Sequence, residues 1–299
     1  MVAGALTANA PGTAASEHRS EWARIAASVR RNRGAMIGLA ITLLLVAVGL
    51  LAPVLSPYDP TGMGVGKRLE APSSTHLFGT DKFGRDLFSR VVAGTRLTLF
   101  IGAVAVGISC TVGSLLGLLS GYFGGWADNV IMRLVDVMFS FPDILIALSV
   151  VALLGPSLRN AVIAVGISAI PWYARLIRGT VLVEQQKQYF EAAQSLGASH
   201  LRLIGRHILP NALPPILVLA TLGFSTAVLS AAALSFLGLG AQPPTPEWGL
   251  ELALGRDLMR QAWWIMTFPG LAIAITVLGF NLLGDGLREA LDPRQRRVG

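Results

Sequence analysis

Apolar residues in this chain come in long runs with no alternation and no single-face stripe. A helix needs about 20 apolar residues to cross a hydrocarbon core about 30 Å thick. Six stretches qualify, at about 35–55, 96–119, 130–154, 159–177, 211–234 and 264–284. Each is predicted as a helix, because a span in lipid must satisfy its own backbone hydrogen bonds. The second, GAVAVGISCTVGSLLGLLSG, is rich in Gly and other small residues. Faces of that kind let helices approach closely, which favours a packed bundle over a lone anchor. The predicted fold is all-α, an integral membrane protein with six transmembrane helices. Prolines interrupt the runs at Pro142, Pro171, Pro214, Pro215 and Pro269. Kinks there are tolerated where neighbours or water satisfy the freed carbonyls, and the prolines alone identify no hinge.

The polar stretches set the organisation. They are a tail at 1–34, a segment at 56–95, a loop at about 178–210 and a second tail at 285–299; the spans from 96 to 284 form a five-helix core. Arg19, Arg24, Arg30, Arg31 and Arg33 precede the first span, and Arg288, Arg294, Arg296 and Arg297 follow the last. Six spans put both ends on one side, and basic flanks place that side in the cytoplasm. Arg175, Arg178, Lys187, Arg202 and Arg206 put the loop after the fourth span on the same side. Residues 56–95 are then extracytoplasmic, although Lys67, Arg68, Lys82, Arg85 and Arg90 run against the rule.

Between the fourth and fifth spans the chain reads QYFEAAQSLGASHLRLIGRHILP (188–210), too polar to cross a membrane and too patterned to be slack. The spacing predicts a helix over 183–195 with Tyr189, Phe190 and Ala193 available to one face. Gly197 is a stop, since glycine adopts the left-handed conformation that ends helices. Ser199 is placed to cap a second helix running to about His207, with Leu201, Leu203 and Ile204 as its apolar positions. Pro210 is expected to interrupt the chain at the membrane edge. Ala192, Ala193, Gly197 and Ala198 leave the turn without bulk. Two readings fit: a surface that another protein approaches closely, or a connecting loop of ordinary helix formers.

Composition agrees with a polytopic membrane protein. The chain is 53% hydrophobic and 14% charged, with mean hydropathy +0.61, against about 25% charged in soluble domains. Arg-rich flanks of spans account for the net charge of +7, so it is no sign of nucleic acid. The single cysteine, Cys110, lies in an apolar run and reads as a buried inert thiol. Residues 1–18 lack the apolar core and cleavage site of a signal peptide and read as a cytoplasmic tail.

Candidate chemistry is sparse. A charge at the bilayer centre costs about 2.5–3.5 kcal/mol on insertion scales, and Arg133, Asp136 and Asp143 lie in or near the third span. Arg133 and Asp136 are three apart and can pair on one face, either on a translocation pathway or as a structural pair near the cytoplasmic end. Asp143 lies deeper, beside Pro142, and is the better pathway candidate. Pro243, Pro244 and Pro246 stiffen an outer loop before Trp248; it reads as a docking surface for an extracytoplasmic protein or as a rigid turn with an interfacial Trp. GMGVGKR (62–68) is not a phosphate loop, since Thr61 and Arg68 stand where Gly and Ser/Thr are needed. His18, His76, His200, His207 and Cys110 show no metal-ligand spacing. No catalytic constellation is visible.

EAAQSLGASHLRLIGRHILP resembles the EAA loop of bacterial ABC import permeases. Glu191, Ala192, Ala193, Gly197, Leu209 and Pro210 match its pattern at the right spacing, and His207 stands where the pattern has Ile. The stretches RNRGAMIGLAITLLLVAVGLLAPVLSPYDP, HLFGTDKFGRDLFSRVVAGTRLTLFIG, LSFLGLGAQPPTPEWG and GDGLREALDP extend the resemblance over nearly the whole chain. They are similar to the dipeptide/oligopeptide (nickel) importer permeases, in particular the second of the two paired permease types. The resemblance implies the type I importer permease fold, in which the loop forms a coupling helix that docks on an ATP-hydrolysing subunit. Its contact residues would be Tyr189, Phe190, Glu191, Ala192, Ala193, Gly197, Ala198, Leu209 and Pro210. It further implies a homologous second permease as partner, two ATP-binding subunits carrying ATP and Mg, an extracytoplasmic substrate-binding protein, and no cofactor or catalytic residue on this chain. The location implied is the bacterial inner membrane. Dipeptides or oligopeptides are the cargo implied first; nickel, glutathione or another small solute is the alternative. A secondary transporter driven by an ion gradient is the competing class, and a membrane-bound scaffold or receptor is a third.

Overall fold

The computed structural model describes residues 29–291. The expected tails fall largely outside them, including Arg19, Arg24, Arg294, Arg296 and Arg297. Within the described residues the secondary structure is helical, apart from one isolated bridge between Thr80 and Asp86.

The helices are α1 (Arg33–Leu55), α2 (Leu87–Phe123), α3 (Gly125–Phe139), α4 (Asp143–Leu154), α5 (Leu158–Ser168), α6 (Ile170–Gln185), α7 (Gln188–Ser195), α8 (His200–Leu203), α9 (Leu209–Phe236), α10 (Trp248–Gly255) and α11 (Trp264–Leu291). Five helical segments are long and apolar enough to cross a membrane, and a sixth exists if α3 and α4, bent by 96° at their junction, count as one broken span. The bend falls at Ser140–Pro142, where Pro142 follows Phe141 and leads straight into α4. α5 and α6 together make the fourth span, joined at Ala169 just before Pro171.

α2 begins at Leu87, well before its apolar run. Asp86 caps it, accepting a hydrogen bond from the Ser89 amide at 2.8 Å, and a capped start lets polar Ser89 and Arg90 enter the helix. Helix α6 runs alongside α2, with Gly113, Gly117 and Gly121 at the contact. A Cβ on Gly117 would lie 2.3 Å from the Ala174 carbonyl oxygen, and one on Gly113 would lie 2.6 Å from that of Ile170. No side chain larger than hydrogen fits there, so the small residues set the helix separation. Gly38 of α1 plays the same part against α11, where its Cβ would sit 2.5 Å from the Leu283 amide.

The bundle has two distinct ends. At the loop end, Tyr122 at the close of α2 meets both the 186–208 segment and Gln185, and Asn32 bonds to Glu289. At the cap end, residues 56–86 and 237–263 fold over the helices. Trp264 Nε1 donates to the Thr80 carbonyl at 3.1 Å, and Trp248 Nε1 donates to the Val91 carbonyl at 3.0 Å. Ile101, Ala105, Ala147, Val151, Val162, Val165 and Leu234 form one core between α2, α4, α5 and α9. Leu43, Leu44, Leu50 and Val54 of α1 face outward, the arrangement a lipid surroundings requires.

Candidate functional site

The 186–208 segment is held to the bundle by its own apolar residues. Phe190 and Leu203 are buried with Ile177, Val181, Ile208, Ala212 and Ile216, and Ala193 and Ala198 pack at the edge of that cluster. α7 ends on Gly197, whose φ is +80°. The Gly197 amide donates to Gln194 O at 2.9 Å, and the Ala198 amide to Ala193 O at 3.1 Å. These are the two bonds of a Schellman close, which satisfies carbonyls that the helix end would otherwise orphan. Open space surrounds Gly197; it is required by the left-handed turn, not by crowding within this chain.

Several local expectations are corrected. The helix predicted over 183–195 is two, because α6 runs on to Gln185 and α7 starts at Gln188. The second helix lasts only from His200 to Leu203, and Ser199 makes no side-chain cap bond. A π-turn over Ile204–Ile208 then leads into α9. Pro210 does not interrupt the chain. It sits at the start of α9 directly after the π stretch, in backbone that stays helical from His200 to Phe236. Leu209 and Pro210 are exposed there.

The outward surface of the turn carries Glu191, Ala192, Gln194 and Ser195, all exposed, beside Leu196 at 89% and Leu201 at 84% exposure. Leu201 was expected among the apolar positions of the second helix and is instead bare, and Leu196, equally bare at the tip of the turn, was not singled out from sequence. Their signal was available: neither is needed by the helical stripe that buries Phe190 and Leu203. Tyr189 donates to Glu184, to which Lys187 also bonds, and it receives a hydrogen bond from Asn211 Nδ2 at 3.2 Å. Burial and the Glu184 carboxylate push the Tyr189 hydroxyl up to about 12, so it keeps its proton and remains a donor at neutral pH. This cluster joins α6, α7 and α9 at the root of the turn. On its other side His200 Nδ1 lies 2.6 Å from the Tyr122 hydroxyl.

The expected Arg133–Asp136 pair is not formed. Asp136 accepts from Arg175 Nη2 at 2.8 Å, whose guanidinium also lies over the Phe139 ring, 4.0 Å from its centroid. Arg133 is exposed and has no ionic partner among the described residues. The α3–α6 contact is reinforced by Asp128, which holds Arg178 Nε at 2.6 Å and Nη2 at 2.7 Å. Asp143, first residue of α4, accepts from Trp172 Nε1 at 3.1 Å. It lines a cavity of about 210 Å³ between α2, α4, α5, α6 and α9, level with Gly223 in the middle of α9. A wider vestibule of about 650 Å³, bounded by Arg175, Pro214, Pro215 and Arg288, opens toward the loop end. Trp172, Leu219 and Leu222 line both. Asp143 thus reaches a cavity, and Arg175, not Arg133, lies beside its entrance.

At the cap end the outer loop divides. Pro243 and Pro244 are exposed and Pro246 is half-buried, but Trp248 is 1% exposed under α2. The expectation that Trp248 sits at an interface or on a docking surface is therefore corrected: its ring fills the space that Gly94 leaves. Of the basic residues that run against the charge rule, Arg85 pairs with Asp81 at 2.5 Å and Arg90 with Glu251, all buried.

The chain is matched by the family model of the binding-protein-dependent transport system inner membrane component over residues 113–297. A second model, the N-terminal TM domain of oligopeptide transport permease C, matches residues 20–72. The dipeptide transport system permease protein DppC of Alkalihalophilus pseudofirmus is 46% identical over 93% of this chain and 91% of its own length. The di/tripeptide transport system permease protein DppC of Pseudomonas aeruginosa is 48% identical over 91% of each. The glutathione transport system permease protein GsiD of Pectobacterium atrosepticum is 47% identical over 92% of each. Among solved structures, the MetNI methionine ABC transporter in an inward-facing conformation aligns with a TM-score of 0.56 at 21% identity, over 69% of this chain and 98% of that one. That likeness supports the fold, and the sequence matches go further: this chain belongs to the family of binding-protein-dependent transport system inner membrane components.

Proposed function

We propose that this chain is the second permease subunit of an ATP-driven importer that moves dipeptides or oligopeptides across the bacterial inner membrane. The observation that carries the reading is the turn at Gly197. It is a rigid helix close that buries Phe190 and Leu203 in the bundle, bares Leu196 and Leu201, and stands at the end toward which the vestibule opens. A force on α7 reaches α6 and α9 through Tyr189, Glu184 and Asn211, and α6 carries Trp172 at the cavity wall. Coupling through such a contact needs a partner that binds two states of the bundle differently. The ATP-binding subunits, carrying ATP and Mg, are that partner, and Tyr189 to Ala193, Gly197, Ala198, Leu209 and Pro210 form the region they engage.

A homologous permease completes the pathway, for which Asp143, Asp136 through its bond to Arg175 at the vestibule, and the exposed Arg133 of α3 supply this chain's polar groups. The exposed Pro243 and Pro244 offer a stiff surface for an extracytoplasmic binding protein. The loop end and both termini face the cytoplasm, with residues 56–86 outside, as the arginines that flank the first and last spans and those of the 178–210 loop favour. The relatives named for dipeptides and di/tripeptides favour a peptide cargo, and the GsiD relative, at similar identity, keeps glutathione as the second candidate. Uptake by the complete complex in proteoliposomes, with dialanine and glutathione outside and ATP inside, tests the reading. Accumulation that requires ATP and the binding protein is expected. Accumulation driven by a proton gradient without the ATP-binding subunits would overturn it.

A further inference from the structure

The Asp143 carboxylate lies at mid-depth of the bundle with its charge unmatched. One oxygen accepts from Trp172 Nε1, and the other accepts no hydrogen bond among the described residues. Among the described residues no basic residue lines this cavity, and Arg175, which lines the adjoining vestibule, is committed to Asp136 and to the Phe139 ring. An ionised carboxylate at this depth is costly, and such a residue calls for a cationic or donor-rich partner.

The cavity's other polar groups are neutral hydroxyls, of Ser109, Ser168, Tyr173, Thr226 and Ser230, and none of them bonds to Asp143 among the described residues. Ser109 spends its hydroxyl proton on Ala105 O at 3.1 Å, Ser168 on Val165 O at 3.0 Å and Tyr173 on Leu219 O at 3.4 Å. Each hydroxyl oxygen keeps lone pairs to offer. An anionic carboxylate among neutral hydroxyl oxygens complements a group that is positive and carries several N–H donors. A primary ammonium is such a group. A bound metal ion is a poorer match, because no group of three His, Cys, Asp or Glu suited to one exists among the described residues. The walls around Asp143 are otherwise apolar, with Trp172, Leu219 and Leu222 continuing into the vestibule. That leaves room for a short molecule whose charged amino end enters the narrow cavity.

We propose that Asp143, oriented by Trp172, binds the protonated amino terminus of the cargo within the membrane. Asp143 is the contact and Trp172 a positioning residue. The inference rests on the peptide-permease reading above and adds the group recognised. The test uses the complete complex with radiolabelled dialanine and N-acetyl-dialanine. Retention is measured on the detergent-solubilised complex without binding protein, and ATP-driven uptake in proteoliposomes with it. Wild type should retain dialanine and not the acetylated peptide. Asp143→Asn should weaken retention and raise KM for uptake roughly ten- to hundredfold, the loss expected for one charge-assisted hydrogen bond. Asp143→Glu should recover part of it. Trp172→Phe keeps the ring but loses the donor, and should raise KM several-fold with kcat nearly unchanged. Membrane abundance and the thermal midpoint of the purified complex, measured for all three, separate a binding defect from misfolding.

Equal retention of both peptides by wild type, no retention of either, or wild-type behaviour of Asp143→Asn would each overturn the proposal. Should the wild-type complex fail to accumulate dialanine with ATP, the peptide reading itself falls. Normal accumulation by both wild type and Asp143→Asn sinks only the role of Asp143.

Discussion

Arg90 and Glu251 stand 161 positions apart and meet as a fully buried pair, with Nε 2.8 Å from Oε1 and neither side chain exposed. The same guanidinium donates to the carbonyls of Pro60, Pro244 and Thr245. One side chain therefore ties the segment after α1, the proline loop and α10 to the start of α2. Removing one partner of such a pair strands a buried charge, at a cost of about 3–5 kcal/mol. Arg90→Met and Glu251→Met should each lower the melting temperature of the purified complex sharply, and the double variant should recover a large share. Strictly additive losses in that cycle would show that the two residues act independently.

Gly117 and Gly107 lie on the same helix and make a controlled comparison. A Cβ at Gly117 would strike the Ala174 carbonyl at 2.3 Å, whereas at Gly107 it would meet nothing within 4 Å. Gly117→Ala should force α2 from α6 and destabilise by about 1–3 kcal/mol or more, as overpacking does. Gly107→Ala should be neutral or slightly stabilising. Membrane abundance and the thermal midpoint of the two variants check this. Equal behaviour of the two would mean that the α2–α6 contact yields freely.

Much of the fold was legible because lipid leaves few choices. A run of about 20 apolar residues must be a helix there, so the spans could be counted before their packing was known. The glycines of α2 were legible for the same reason. What stayed hidden depended on distant partners. Asp136 looked paired to Arg133 by spacing, but its partner Arg175 comes from another helix. Trp248 looked like an interfacial anchor, but Gly94 opens a buried slot for it. The start of α2 was missed because hydropathy falls where Ser89 and Arg90 enter, and only the partners of Asp86 and Arg90 reveal why they can be buried. In the candidate loop, Gly197 was readable as a turn, whereas the bareness of Leu196 and Leu201 follows from which residues the bundle claims.

Glu247 offers a pH test of the cap. Its carboxylate accepts from the Gly249 amide at 3.0 Å and the Leu250 amide at 2.8 Å, capping α10. Burial nonetheless pushes its carboxyl above the ordinary range, with nearby Glu251 adding to the rise and the amide bonds and Ser235 opposing it. A carboxyl whose folded pKa is raised is held less well ionised in the fold than in the unfolded chain. Its contribution to stability therefore falls as pH rises from its unfolded value through its folded one. Glu247→Ala should cost about 1 kcal/mol through the lost cap. It should also flatten the decline of the melting temperature between the ordinary carboxylate range and neutrality. Parallel pH profiles for wild type and variant would remove Glu247 from that dependence.

Gly197 separates a conformational requirement from a docking one. Its φ of +80° is costly for most side chains, by about 1–2 kcal/mol, and least so for Asn. A Cβ there meets nothing within this chain, so Gly197→Asn and Gly197→Val should both insert and fold, with Val the less stable. Both place bulk on a turn that otherwise ends in Leu196 and Leu201. If ATP-binding subunits close onto this surface, both variants should lose co-purification with them and uptake. Leu196→Ser and Leu201→Ser, surface changes expected to shift stability by no more than about 0.5 kcal/mol, should weaken the association further when combined. Normal uptake by Gly197→Val at normal abundance would sink the coupling assignment. Loss in Val but not in Asn would instead place the requirement in the backbone turn alone.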